Sequence, residues 1–357
     1  MSEIRAANRA LNLLEYEQGR ARLESLPRYV MVELTQGCNL HCSMCRPEVI
    51  SPKARRMPDA LFDQIERELF PTAEWVDLRG WGESLILEGV IPLIERTVAA
   101  GPRVRFVSNL SFRRPAVLDA LIRHRVLIGV SLDSADAEVL SELRAGASLD
   151  LITANLRYLT EGYRRSHGTA EDVYLTVTVQ RPALTGLPAL VDLAASCGIG
   201  EIRLFPVSAP EESPLALGLS SKEVSRALDI AVEAAQRAGI RLVAGARLGE
   251  MPVKDPLSPA CVHPWSYATI SWDGLVGFCD HLIGPDGAPY GLGQWQHESF
   301  QDIWNGPAWV TLREEHLGQR REGAPCFHEC AWCYRNRHTD FEHLLFPQER
   351  ERIRRLA

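Results

Sequence analysis

Three cysteines stand close together early in the chain, in Cys38-Asn39-Leu40-His41-Cys42-Ser43-Met44-Cys45. They follow the apolar run Tyr29-Val30-Met31-Val32-Glu33-Leu34, which places them on a loop just past a buried strand. Thiolates at this Cys-x3-Cys-x2-Cys spacing can hold three irons of a [4Fe-4S] cube. Iron–sulfur cubes are ordinarily closed by four cysteines, so the fourth iron is left open to something other than protein. Zinc is the competing chemistry, but it prefers a complete tetrahedral set. A second group, Cys261, Cys279, Cys326, Cys330 and Cys333, has enough thiols for a fully ligated site. The preferred quartet is Cys261, Cys279, Cys330 and Cys333, with Cys326 as a substitute; four thiolates at this spacing suit zinc as well as iron. Cys197 is alone, next to Gly198, and reads as a buried structural thiol.

Composition narrows the classes. The chain has 357 residues, 46% of them apolar, enough for one large domain and an appendage. A net charge of −7 gives no reason to expect a nucleic-acid or membrane surface. No apolar run approaches a membrane span, and the charged start lacks a signal-peptide core. Nine cysteines, eight of them in two groups, then point to metal in a cytoplasmic protein rather than to disulfides.

The positioning elements alternate. Strands are predicted near residues 29–34, 75–78, 103–107, 127–132, 173–179 and 201–205. Between them the 3.6-residue pattern predicts helices near 58–69, 89–99, 115–124, 137–144, 149–162 and 187–196. Leu61, Phe62, Ile65 and Leu69 share one helix face, and Pro58 suits its first turn. The alternation argues for an α/β fold of parallel βαβ units, as an open sheet or a curved partial barrel, with active residues at the carboxyl ends of the strands. Before it, residues 3–24 read as a polar helix with Ile4, Ala7, Leu11 and Leu14 towards the body. Thr176, Thr178 and Gln180 share one side of the fifth strand. A further helix is expected over residues 221–238. Beyond it Asp273-Gly274 marks a hairpin that brings Cys261 and Cys279 towards one end, and a helical segment follows to about Glu315.

These residues together resemble the radical S-adenosylmethionine (SAM) superfamily. In that family the open iron chelates SAM, and an electron cleaves it to methionine and a 5′-deoxyadenosyl radical. The resemblance implies a partial (β/α)6 barrel followed by a SPASM/twitch domain, a β-hairpin plus helix that holds one auxiliary [4Fe-4S] cluster. The implied divisions are 1–28, a helical extension; 29–245, the barrel; 246–340, the auxiliary-cluster domain; and 341–357, a helical tail. Asp77-Leu78-Arg79-Gly80-Trp81-Gly82-Glu83-Ser84 resembles the family's Gly-Gly-Glu motif, with Trp81 interrupting the glycine pair. The resemblance implies SAM contacts at Gly82, Glu83, Ser84, Asn109, Ser131 and Arg144, and Met44 against adenine. Asp133 is equally a cap for the helix that follows it.

The resemblance extends to the aminocyclitol (deoxy-scyllo-inosamine) dehydrogenases and other sugar-modifying radical SAM enzymes of antibiotic biosynthesis. It implies oxidation of a secondary alcohol, with the auxiliary cluster taking an electron and a flavodoxin- or ferredoxin-type protein supplying one. Arg247 is the favoured group for the hydroxyl proton, and Arg79, Arg203 and His281 are its rivals. A decarboxylase, epimerase or dehydratase on a glycosyl substrate, a peptide-modifying maturase and a non-enzymatic iron–sulfur redox protein are the alternatives.

Overall fold

The computed structural model describes residues 2–45, 55–207, 209, 212–217, 222–244, 262–279, 291–295 and 298–317. In chain order the strands are β1 (Tyr29–Val32), β2 (His41–Cys42), β3 (Trp75–Asp77), β4 (Arg103–Ser108), β5 (Leu127–Ser131) and β6 (Arg144–Ala145). They continue as β7 (Val173–Val179), β8 (Glu201–Pro206), β9 (Arg241–Ala244), β10 (Tyr267–Ile270), β11 (Leu275–Gly277) and β12 (Gly293–Gln294). The helices used below are α1 (Glu3–Glu17), α2 (Asp59–Leu69), α3 (Val90–Ala99), α4 (Pro115–Arg123), α5 (Ala137–Leu143) and α6 (Leu149–His167). The alternation expected from the sequence is present, and the predicted strands at 173–179 and helix at 187–196 are found with those ends. Among the described residues no helix is long and apolar enough to cross a membrane.

The chain divides into two compact units. One comprises Met1–Gly37, Ile50–Arg105 and Val253–Arg335, and the other Cys38–Val49, Phe106–Pro252 and Asn336–Ala357. In the first unit the strand order is β12-β11-β10-β1-β3-β4. β10, β1, β3 and β4 run parallel, whereas β10, β11 and β12 form an antiparallel meander. The hairpin turn falls where Asp273-Gly274 predicts it, and Gly274 takes the left-handed φ of 91° that the turn needs. In the second unit β5, β7, β8 and β9 follow one another in parallel.

Side chains alternate across each strand, and one face of the first unit's sheet is polar. Tyr29, Asp77 and Arg105 meet there without solvent. Arg105 donates to Asp77 Oδ2 at 2.7 Å and to the Tyr29 hydroxyl at 3.0 Å, and Tyr29 donates to the same carboxylate oxygen at 2.8 Å. The opposite requirement, apolar burial, is met by the helices. α2 buries Phe62, Ile65 and Leu69, with Leu61 half-buried. α6 buries Ile152, Leu156, Leu159 and Tyr163. Each such side chain contributes about 1.5–3 kcal/mol relative to exposure.

α1 corrects the sequence expectation. Its apolar stripe faces outward: Ile4 is 62% and Leu14 45% exposed, Ala7 is exposed and Leu11 half-buried. Arg5, Asn8, Asn12 and Glu15 are buried instead. Helical periodicity identifies a stripe but not which stripe is buried, and here the surface beneath the helix is backbone. The Arg5 guanidinium donates to the carbonyls of Ala73, Phe70 and Ala100, and Asn12 donates to that of Trp265. Asn8 pairs with both backbone groups of Leu26, and Glu15 accepts from the N–H groups of Glu24 and Ser25. The helix also stops at Glu17, short of the expected residue 24. Arg5→Ala, which strands three carbonyls, two of them buried, should lower stability to urea by about 3 kcal/mol. Leu14→Lys should stay within about 0.5 kcal/mol of the parent in the same titration.

Candidate active site

In the second unit the three-cysteine loop is held from both sides. β2 pairs antiparallel with β6, His41 opposite Ala145 and Cys42 opposite Arg144. Ser43 adds backbone and hydroxyl hydrogen bonds to the Leu143 carbonyl. On the other side, Asn39 donates to the Ser111 carbonyl at 2.8 Å. Asn109 donates to Asn39 at 3.0 Å and lies 3.9 Å from Cys38 Sγ, which also receives the Leu40 N–H at 3.4 Å. Asn109, expected at the cofactor site, is therefore placed against the first cysteine. Ser131 ends β5 half-buried, and Met44 is half-buried on the loop.

Asp133 does not cap α5. Asp136 does so, accepting from the N–H groups of Glu138 and Val139. The Asp133 carboxylate instead receives Arg144 as a two-pronged fork, at 2.7 and 3.0 Å, together with the Thr178 N–H at 2.8 Å. The third arm of Arg144 points at Cys42 Sγ, 4.0 Å away. Burial opposes the charge on Arg144, but Asp133 and then Cys42 outweigh it, and the guanidinium is held above its ordinary pKa. Burial pushes the Cys42 thiol up, and Arg144 pulls it back towards thiolate.

In the first unit, the turn after β3 lies against the segment that leads into Cys38. A Cβ on Gly82 would come within 2.5 Å of the carbonyl oxygens of both Thr35 and Gly37, and one on Gly80 would strike the Glu33 side chain. Glu83 donates its N–H to the Gly37 carbonyl at 2.9 Å. Its side chain caps the short 3-10 turn Ser84–Ile86 through the Leu85 N–H. Glu33 accepts from the N–H groups of Trp81 at 2.9 Å and Trp272 at 3.3 Å. Sequence reasoning passed over Glu33. Its signal was a carboxylate ending a buried strand, which requires partners. Ser84 is buried, and its hydroxyl has no hydrogen-bond partner among the described residues. A backbone cradle that only glycine permits, beside an orphaned hydroxyl, fits a polar ligand such as the SAM amino-acid moiety.

The other sequence candidates divide. Arg79 forms an ion pair with Asp77 at 2.7 Å. Arg203 sits mid-strand on β8, 5% exposed, bonded to Glu201 and stacked 3.8 Å over the Tyr174 ring. Cys279 is buried just after β11, and Cys197 is buried at the end of its helix, as expected. Cys261, Cys326, Cys330, Cys333, Arg247 and His281 lie outside the described residues. Among the described residues no group of three or more His, Cys, Asp or Glu side chains is placed to hold a metal ion, Cys38, Cys42 and Cys45 included.

Comparison with known families defines the class. Residues 32–178 match the radical SAM superfamily, and residues 261–334 match SPASM, an iron–sulfur cluster-binding domain. The chain thus carries a radical SAM domain, which binds a [4Fe-4S] cluster and SAM, and a SPASM domain, which binds auxiliary iron–sulfur clusters; it is an enzyme. Among solved structures it is similar to Streptococcus suis SuiB bound to S-adenosylmethionine, with 15% identity over 86% of this chain and 71% of that one (TM-score 0.63). It is also similar to anSMEcpe with bound AdoMet, with 12% identity over 93% and 97% (TM-score 0.61). At these identities the likeness establishes the fold alone. BtrN in complex with AdoMet and 2-DOIA aligns at 15% identity over 84% and 90%, with a TM-score of 0.47 that carries no argument. No curated protein matches the chain.

Two substitutions test the site. Gly82→Ala should displace the turn and weaken SAM binding at least about tenfold in calorimetric titration of the reconstituted protein. Arg144→Ala leaves the Asp133 carboxylate buried without its fork and should cost about 3 kcal/mol of stability. Arg144→Lys, which keeps the charge but not the planar fork, should recover only part of it.

Proposed function

We propose that this enzyme oxidises a secondary alcohol of a sugar, aminocyclitol or sugar-nucleoside to a ketone in natural-product biosynthesis. When bound, SAM and the clusters supply the hydrogen acceptor and the electron sink. Bound SAM would supply the acceptor for the hydrogen atom of the carbinol C–H. The hydroxyl proton would leave to water, and four of Cys261, Cys279, Cys326, Cys330 and Cys333 would hold one auxiliary cluster able to take the second electron. A flavodoxin- or ferredoxin-type donor provides the starting electron.

The observation that carries this reading is the pairing of β10 with β1. The hairpin that ends at Cys279 is built onto the strand that runs into the three-cysteine loop, with Tyr29 opposite Tyr267 and Val32 opposite Ile270. An auxiliary cluster with all four protein ligands has no open iron for substrate, so electron transfer is the role left to it. Asn109 and Arg144 orient the thiols of the SAM-binding cluster, and Gly82, Glu83, Ser84, Ser131 and Met44 receive SAM. The carbinol oxygen is assigned to Arg247, with Arg79, Arg203 and His281 as rivals; a guanidinium stays protonated, so an arginine there stabilises the oxygen while the proton leaves to water. A peptide substrate is the second reading. The same fold was solved in SuiB bound to the precursor peptide SuiA, at 15% identity and a TM-score of 0.65.

Anaerobic reconstitution should give about eight irons per chain. SAM and strong reductant should then yield 5′-deoxyadenosine, with deuterium carried over from a carbinol carbon of a labelled sugar or aminocyclitol. Cys38→Ala should abolish this product. About four irons per chain would remove the electron sink. Deuterium arriving from a labelled peptide alone would replace the alcohol reading with the peptide one.

A further inference from the structure

The second unit fixes a cation beside one of the three clustered thiols. Cys42 and Arg144 stand directly opposite each other where β2 pairs antiparallel with β6, so their side chains leave the ribbon on the same face. Asp133, 1% exposed, takes the Nε and Nη2 edge of the guanidinium at 2.7 and 3.0 Å. Asp133 is in turn held by the Thr178 N–H at 2.8 Å and the Gln180 amide at 3.4 Å. The side-on edge that would grip the carboxylate of SAM is therefore already taken by protein. On the opposite side of the guanidinium, Nη1 lies 4.0 Å from Cys42 Sγ. Cys38 Sγ receives the Leu40 N–H and the Asn109 amide, which are neutral donors.

We propose that Arg144 is a positioning residue for the SAM-binding cluster rather than a ligand of SAM: fixed by Asp133, it acts through the Cys42 sulfur and raises the cluster's reduction potential. This rests on the radical SAM reading, with Cys42 as a ligand of that cluster. Each thiol of a cube holds its own iron, so the three stand further apart than the ligands of a single ion. Reduction places one more electron, from a flavodoxin- or ferredoxin-type donor, on the cluster and its sulfurs. Charge and hydrogen bonds at the sulfurs are among the terms that set the potential. A cation 4.0 Å from a sulfur in a buried site favours the added negative charge through Coulomb attraction, with no need of a tight hydrogen bond. Asp133 carries the opposite charge on the far edge of the guanidinium. Removing one partner of the pair therefore lowers the potential, and removing the other raises it.

The test is a redox titration of the anaerobically reconstituted full chain, without SAM and with dithionite as reductant. Electron paramagnetic resonance follows the cluster signal that is lost in Cys42→Ala. Arg144→Met should shift the reduced-to-oxidised ratio at fixed potential about tenfold towards the oxidised form, a midpoint lowered by about 59 mV for one electron. Asp133→Asn should raise the midpoint, and Arg144→Lys, which keeps the charge, should restore at least half of what Arg144→Met loses. Damage to the fold alone would not move the two partners in opposite directions. Where a single variant fails to load its cluster, the double variant Asp133→Asn/Arg144→Met, which strands no buried charge, is read instead; its midpoint should lie below the parent's. SAM affinity by calorimetry in Arg144→Lys should stay within about twofold of the parent. Midpoints that move in the same direction or not at all, or a double variant at the parent's midpoint, overturn the proposal. A loss of SAM affinity of about tenfold in Arg144→Lys also overturns it, because it returns the guanidinium to SAM. If Cys42→Ala keeps about eight irons and the full signal, Cys42 is no ligand and the underlying reading fails. If the signal is lost there but the midpoint ignores Arg144, that reading stands and the proposal alone falls.

Discussion

One backbone contact governs the first unit: the turn after β3 lies directly on the carbonyls of Thr35 and Gly37, with no side chain between them. Only glycine at position 82 permits this approach. The Glu83 N–H to Gly37 and the Trp81 N–H to Glu33 lock it on either side. Side chains change rotamer in picoseconds to nanoseconds, whereas two backbone segments in direct contact move only together. The turn expected to receive SAM and the segment that runs into Cys38 therefore form one rigid piece, which is the support that a catalytic constellation requires.

The buried electrostatics follow a similar logic. Asp77, Arg105 and Tyr29 lie without solvent on the inner sheet face, where an apolar trio of equal volume would be at least as stable. Stability comes from the apolar faces of helices such as α2 and α6, and the polar column instead gives the sheet fixed charges and dipoles of defined direction. In the second unit the Asp133–Arg144 fork does comparable work. Asp133 fixes the guanidinium, and the guanidinium stands beside Cys42. A fixed cation next to a thiol favours the thiolate that a metal requires, and so offsets the burial that opposes it.

The strand–helix alternation and the cysteine loop were legible in the sequence because each depends on local pattern. Period-two and period-3.6 repeats report burial within one element, and thiol spacing reports what a loop can gather. The orientation of α1 was not legible, since its partners are backbone carbonyls that leave no mark in a hydropathy pattern. Nor was the division of labour between two aspartates three residues apart. Asp133 and Asp136 are the same residue type in the same turn, and only the arrival of Arg144 from the far end of α5 makes one a partner and the other a cap. The parallel pairing of β10 with β1 joins segments more than two hundred residues apart, a relation that no local signal encodes.

That long-range pairing has the largest consequence for ligand binding. The Arg28 N–H bonds the Ser266 carbonyl and the Glu33 N–H bonds that of Ile270, so β10 follows β1 along its whole length. With β3 on the other side of β1, three parallel strands end together, and ligands gather at such ends in α/β sheets. β10 brings Thr269 to that edge, β1 brings Glu33 and β3 leads into Arg79 and Trp81. Glu33 also accepts the Trp272 N–H at the turn before β11, the strand that leads to Cys279. One carboxylate is thus bonded both to the glycine turn after β3 and to the hairpin of the SPASM-matching region. Two hydrogen bonds to a single side chain tie the hairpin to the turn.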